Sequence, residues 1–200
     1  MRRTAMLLRK TLSAGPVWLI ALSFGMYSMQ WMAVIGFLPS IYAQAGLAAT
    51  TVGILTAIAS MVNIIGNIGS GRLLYRGIPA SGLLTTAFFA MAIGTWLAFS
   101  SATEGLPLVR YLGVILFSSV GGMIPSVLFS LVVALAPDEE CISTTAGWVQ
   151  QLSALGQFSG PPLVAWIATR YGGWHLVWVV LMGASAMGLL LARASASRGR

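Results

Sequence analysis

The feature that most constrains this chain is a series of long apolar stretches, nearly free of Asp, Glu, Lys and Arg, that recur between short polar breaks. Crossing the roughly 30 Å of bilayer hydrocarbon takes about 20 mostly apolar residues as a helix. A helix is required because hydrocarbon offers the backbone no hydrogen-bond partner. The stretches predict helices over 16–43, 51–71, 81–100, 108–135, 145–169 and 174–192. The breaks at 44–50, 72–79, 101–107, 137–144 and 170–173 carry loop chemistry, among them Gly46, Pro79, Pro107, Pro137 and Gly173. The expected fold is an all-α membrane protein of six transmembrane helices. Its bundle covers 16–192, between a basic segment 1–15 and a basic tail 193–200. The apolar run after Arg2, Arg3, Arg9 and Lys10 is too long for a signal peptide and is expected to remain as a helix.

Composition excludes a soluble reading. The chain is 58% hydrophobic and 8% charged, against about 25% charged in soluble domains. Its net charge of +7 does not imply nucleic acid. A nucleic-acid binder gathers its basic residues on one exposed face, whereas here they occupy the ends and the polar gaps. The single cysteine, Cys141, rules out an intrachain disulfide or a cysteine-built metal site and is expected in a loop. No metal or cofactor is expected.

Basic residues also set an orientation. Six crossings put Arg2, Arg3, Arg9, Lys10, Arg72, Arg76, Arg193, Arg198 and Arg200 on one side and only Arg110 and Arg170 on the other. Cytoplasmic loops are rich in Lys and Arg, so both termini are expected in the cytoplasm, in a plasma membrane of the bacterial inner type. The acidic run Asp138, Glu139 and Glu140 falls on the same side, which the rule permits.

Ionisable groups inside a membrane mark ion and proton pathways, and none lies in the middle of a predicted span. A proton relay within this chain is therefore not expected. Amide, hydroxyl and aromatic chemistry remains, able to hydrogen-bond an uncharged or partly polar solute. In the second span Thr56, Ser60, Asn63, Asn67 and Ser70 recur at steps of four and three, on one helical face. Small and amide residues are favoured where membrane helices touch, so this stripe reads as a packing seam before it reads as a pathway. In the first span Ser23, Tyr27 and Gln30 share a face beside Trp31, with Pro39 further on, and the fourth offers Ser119, Gly122, Pro125 and Ser126. Pro and Gly interruptions in related transporter segments point to a binding site, though prolines also simply bend helices. In the fifth span Ser153, Gly156 and Gly160 form a small-residue face for close helix approach. Gln150 and Gln157 lie together on an adjacent face, and their amides need protein or water. The pathway candidates are Tyr27, Gln30, Asn63, Asn67, Gln150 and Gln157.

Two motifs resemble those of the major facilitator superfamily. The stretch from Gly66 to Gly77, with Gly71, Arg72 and Arg76, resembles the loop between the second and third helices of each half, although Tyr75 stands where that loop usually carries an Asp. Gly147, Gly156, Gly160 and Pro161 match the opening of the fifth-helix antiporter-type motif, with Val164 and Ala165 in place of its closing glycines. Gly172, Gly173 and Trp174 fit the loop that follows. The stretch from Trp18 to Pro39 looks more like the seventh helix than the first, and the basic lead-in resembles the central linker, so the resemblance is closest to a C-terminal half. It implies a half bundle built as a three-plus-three inverted repeat. It also implies a secondary carrier of a small solute, a switching role for the Arg72 and Arg76 loop, and a second six-helix half, from another chain or a second copy.

Two other readings compete. One is a non-transporting membrane subunit or a truncated, inactive carrier. The other is an intramembrane serine protease, which needs a serine paired with a buried histidine. The only histidine, His175, is expected at a span end, and Ile68 breaks the glycine-any-serine-glycine order around Ser70.

Overall fold

The computed structural model describes the backbone of residues 2–198 and the side chains of residues 3–195. The side chains of Arg2, Arg198 and Arg200, assigned to the basic side by charge, lie outside the described residues. Among those residues every regular element is helical: α1 (Arg2–Ser13), α2 (Gly15–Gln44), α3 (Ala49–Met61), α4 (Asn63–Tyr75), α5 (Ala80–Phe99), α6 (Pro107–Gly121), α7 (Met123–Leu135), α8 (Ile142–Arg170) and α9 (Val177–Arg198), with short 3-10 turns in three connections. α3 and α4 form one rod interrupted at Val62, and α6 and α7 one interrupted at Gly122.

Among the described residues five helical stretches are long and apolar enough to cross a membrane: Gly15–Gln44, Ala49–Tyr75, Ala80–Phe99, Pro107–Leu135 and Trp174–Ser195. The sequence predicts six. The difference is α8, whose 29 residues give ample length but include Thr144, Thr145, Gln150, Gln151, Ser153, Gln157 and Ser159, which lower its hydropathy.

Glycine closes several helices. Gly77 at φ 83° lets its own N–H reach the carbonyl of Leu74 at 2.9 Å and that of Ile78 reach Leu73 at 3.1 Å. This left-handed cap satisfies carbonyls that the end of α4 leaves open, and it explains a glycine at the end of the Gly66–Gly77 stretch. Pro39, Pro161 and Pro162 lie within helices that continue through them.

Contacts along the bundle fix its directions. α2 and α8 run parallel side by side: Trp18 meets Trp148 at one end, Ser28 meets Ser153 in the middle, and Phe37 shares a cavity wall with Ala165 and Ala168 at the other. The α3–α4 and α6–α7 rods are also parallel, through Leu55 with Tyr111 and Asn63 with Ser118. α5 packs antiparallel to α6 through Gly94 and Gly113, and to α9 through Phe88 and Gly188. Phe88, Phe117, Ile20, Leu84 and Leu128 fill the centre and are fully buried. The α3–α4 rod is the least enclosed; Ile54, Ile58, Met61, Ile64, Ile65 and Ile68 point outward while its polar seam turns inward. That is the arrangement of a helix whose outer face is solvated by hydrocarbon.

The basic segment contributes a helix, α1, that hydropathy alone does not single out. It is amphipathic and lies over the α7–α8 connection, where Arg3 pairs with Glu140 and Lys10 with Asp138, each at 2.8 Å. Hydrogen bonding to Asp138 raises the Lys10 pKa, and the same bond lowers that of Asp138. The Asp138 contribution is therefore present above the ordinary carboxylate range and lost as pH falls through its lowered value. The Lys10 contribution is present below the ordinary amine range and lost as pH rises through its raised value. The latch holds across neutral pH. Beneath it Cys141 lies in the loop, as expected, but is buried. Maleimide is expected to label Cys141 at least about tenfold more slowly than a Glu139→Cys thiol in a Cys141→Ser background, with Lys10→Glu raising the Cys141 rate. Equal rates at the two positions would contradict the packing of α1 over this loop.

Candidate functional site: a polar cavity at the middle of the bundle

Four helices open onto a cavity of about 230 Å³. Phe24, Tyr27, Ser28 and Trp31 come from α2, Asn63 from the start of α4, Pro125 from α7, and Gln150, Ser153 and Gln157 from α8. Each lies near the middle of its rod, so the cavity sits halfway along the bundle. Among the described residues no acidic, basic or histidine side chain lines it.

Both helix interruptions fall beside this cavity. In the α6–α7 rod the cause is local: Pro125 has no N–H for the carbonyl of Gly121 and its ring crowds that turn. In the α3–α4 rod the Ile65 N–H turns to the Val62 carbonyl at 3.1 Å, a tighter three-residue turn at the break. The two interrupted rods touch backbone to backbone. A Cβ on Gly66 would meet Met123 N at 2.8 Å, and one on Gly122 would meet the carbonyl carbon of Asn63 at 3.0 Å. Gly66 is thus a close-approach glycine within the motif stretch.

Asn63 is the hub. Its amide nitrogen donates to Tyr27 Oη at 3.1 Å and to the Ser118 carbonyl at 2.9 Å, while its Oδ1 accepts from Asn67 Nδ2 at 3.0 Å. One side chain thereby ties α2, α4 and α6 together. Across the cavity, Ser28 and Ser153 share a hydrogen bond of 2.7 Å and Gln157 Nε2 donates to Ser153 Oγ at 3.3 Å. Gln150 and Gln157 are exposed, and among the described residues the Gln150 side chain has no hydrogen-bond partner.

Of the six pathway candidates, Tyr27, Asn63, Gln150 and Gln157 meet at this cavity. Asn67 stands one turn further along α4, bonded to Asn63. Gln30 is elsewhere: fully buried, it donates to the Met26 carbonyl at 3.0 Å and accepts from Ser185 of α9 at 2.7 Å. Gln30→Leu is expected to lower thermal stability in detergent by about 1 kcal/mol, the usual worth of such a bond, without altering access to the cavity. A loss of access with stability intact would return Gln30 to the pathway.

Gly156 and Gly160 press against the α2 backbone at Gly25 and Met29, whereas Gly147 faces open space and Pro161 is half-buried. Arg72, Tyr75 and Arg76 are exposed at one end of the bundle, and a Cβ on Gly71 or Gly77 would meet nothing. The sequence pattern does not single out Ser28 or Phe24. Both are ordinary residues of an apolar helix until α8 is placed beside them.

A larger cavity of about 480 Å³ lies at the opposite end from Arg72, lined by Tyr42, Glu104, Arg110, Trp174 and His175 among others. Its guanidinium is engaged by the loop: Arg110 donates to the Ser100 carbonyl at 3.1 Å and to Thr103 Oγ1 at 3.4 Å. Ser70 lies in the last turns of α4, toward the other end from His175, and donates to the Asn67 carbonyl at 3.0 Å. The serine and the histidine of the protease reading do not meet.

Searches against protein-family models and curated proteins found no match.

Proposed function

We propose that this chain is a six-helix half of a carrier of the major facilitator type, embedded in a plasma membrane with both termini cytoplasmic, and that it moves a small solute through the cavity at Asn63. The observation that carries this reading is the coincidence of two interrupted rods with a polar, half-depth cavity bearing exposed amides. Discontinuous helices at the midplane are where carriers bind their solutes. An amide such as Gln150 is costly against hydrocarbon, so it faces water or a second half.

Three further features support it. α8 lies beside α2 from end to end, so it traverses the same thickness and supplies a sixth span, with Ser153 buried against α2 and Gln150 and Gln157 opening on the cavity. The packing pattern fits an exchange of spans one with four, two with five and three with six. That exchange turns the parallel α2–α8 pair into the parallel pair of interrupted rods, as an inverted repeat requires. The ion pairs of α1 bring the N-terminal segment to the end that also carries Arg72 and Arg76, the side that charge asymmetry makes cytoplasmic. There the Gly71–Arg72–Arg76 stretch is free to contact the second half, supplied by another chain or a second copy.

The reading is tested by counterflow. Purified protein in liposomes is expected to exchange at least one radiolabelled solute from a panel of neutral, anionic and cationic metabolites, and Gln150→Leu with Gln157→Leu is expected to abolish the exchange. No protein-dependent exchange for any member would leave the non-transporting subunit as the better account.

A further inference from the structure

We propose that the cavity at the end opposite Arg72 binds a zwitterionic group, with Arg110 taking its anionic end and Glu104 its ammonium. The site is separate from the cavity at Asn63 and does not depend on the carrier reading.

At about 480 Å³ this cavity has the size of a small-molecule site. Its wall comes from the last turns of α2 and α5, the connection that follows α5, the start of α6 and the 3-10 turn before α9. Its polar side chains differ in what they can offer. Tyr42 Oη is closed off and offers a ligand nothing. Trp174 spends its indole N–H on Gln44 Oε1 at 3.0 Å. Ser101 and His175, both exposed, can donate or accept. The remaining two, Arg110 and Glu104, carry opposite charges.

Arg110 is half-buried, and the loop holds its guanidinium along one edge. Nη2 donates to the Ser100 carbonyl at 3.1 Å and Nε to Thr103 Oγ1 at 3.4 Å. Thr103 is itself buried and donates to the carbonyls of Leu97 and Ser100, each at 2.9 Å, which anchors that edge. These bonds leave most of the guanidinium N–H groups unspent. Nη1 has no partner among the described residues and, unlike Tyr42 Oη, is not closed off. A guanidinium fixed at one edge and free at the other is preorganised for a carboxylate or phosphate oxygen.

Glu104 is exposed on the same wall, and Gly105 at φ 81° turns the chain just after it. The ion pairs among the described residues are those of Arg3 and Lys10, so Glu104 and Arg110 share one cavity without neutralising each other. A lone anion drawn to Arg110 would be repelled by Glu104, and a lone cation would meet the reverse. A group that carries both charges satisfies both. Trp174, tilted against Phe37 with ring centroids 5.1 Å apart, adds an aromatic wall of the kind that attracts an ammonium. Two sources share this chemistry. One is a free solute of the amino-acid type, and the other is the headgroup of phosphatidylethanolamine, which stands at the depth of a bundle end.

Occupancy is read from a thiol on the cavity wall. Ser101→Cys in a Cys141→Ser background is purified in a nonionic maltoside and labelled with the neutral hydroxyethyl methanethiosulfonate. The soluble zwitterions are γ-aminobutyrate and glycerophosphoethanolamine. Butyrate and ethanolamine supply the single charges. Phosphatidylethanolamine, with phosphatidylglycerol as its singly charged counterpart, is mixed into the micelles. A dissociation constant of about 1 mM would slow labelling about tenfold at about 10 mM ligand. That slowing is expected from zwitterions, with the singly charged competitors leaving the rate nearly unchanged. Protection by phosphatidylethanolamine and not by the soluble pair assigns the site to a headgroup; protection by the soluble pair assigns it to a solute. Glu104→Gln alters an exposed, unpaired side chain, so the protein should keep its size-exclusion profile while butyrate comes to protect as well as γ-aminobutyrate. Arg110→Gln is expected to abolish protection by every competitor. Protection by none of them, equal protection by butyrate or ethanolamine in the unaltered cavity, or an unchanged preference for zwitterions in Glu104→Gln overturns the proposal.

Discussion

Gly122→Ala is expected to destabilise the protein by about 3 kcal/mol, at the upper end of what overpacking a filled interior costs. The added methyl would meet main-chain atoms of Asn63, with the carbonyl carbon at 3.0 Å and the carbonyl oxygen closer still. Backbone cannot swing aside as a side chain can, so the two interrupted rods must separate. Gly66→Ala strikes the same seam from the other side, against Ser119, Gly122 and Met123, and should cost about as much. Gly36→Ala and Gly53→Ala are the controls, since a Cβ at either meets nothing within 4 Å. Both are expected to be neutral or to gain up to about 1 kcal/mol from better helix propensity. Thermal unfolding in detergent checks all four. Equal tolerance at 36, 53, 66 and 122 would mean the seam is not in contact.

Asn63→Leu is the second large effect. It removes two donated bonds and one accepted bond while roughly keeping volume. Interhelical hydrogen bonds in membrane proteins average about 0.6 kcal/mol in double-mutant cycles and reach about 1.7. Three lost together, with Asn67 left short of an acceptor, give an expected cost of about 2 kcal/mol. Tyr27→Phe alone should cost under about 1 kcal/mol, because only one bond goes. The two substitutions touch the same bond, so their costs should fall short of additivity by about 0.5 kcal/mol or more. Unfolding in mixed detergent micelles measures this coupling. Strict additivity would place Tyr27 and Asn63 apart and would dissolve the hub at the cavity.

Much of this architecture is legible in the residues, and the exceptions have physical causes. Span positions follow from the solvation of long apolar runs, and the predicted limits 16–43 and 81–100 differ from α2 and α5 by a residue at each end. α8 has the length of a span but falls short in hydropathy, because Gln150, Gln151 and Gln157 stand exposed along it while of its polar residues only Thr145 and Ser153 are buried. Gln150 and Gln157, two helical turns apart, do share a face and do meet at one wall. Gln30 does not join Tyr27, three residues before it. α2 is enclosed on several sides, so a rotation of some 60° around its axis exchanges α4 for α9 as the neighbour. Helical spacing gives the angle but not what stands there. The interruption at Gly122 is foreshadowed by Pro125, whereas the one at Val62 has no proline or glycine beside it and falls where the neighbouring rod presses on Asn63. Burial of Cys141 likewise requires α1 to fold back over its loop.

The central claim is that a water-filled polar cavity lies at half depth within a lipid-embedded bundle. Spin labels at Gln150→Cys, Gln157→Cys, Ile65→Cys and Phe158→Cys, each in a Cys141→Ser background in lipid nanodiscs, test it by collisional relaxation. Positions 150 and 157 should collide with a neutral water-soluble nickel chelate, and positions 65 and 158 with oxygen alone. Labels at 150 and 157 that respond only to oxygen would contradict the cavity and the carrier built on it.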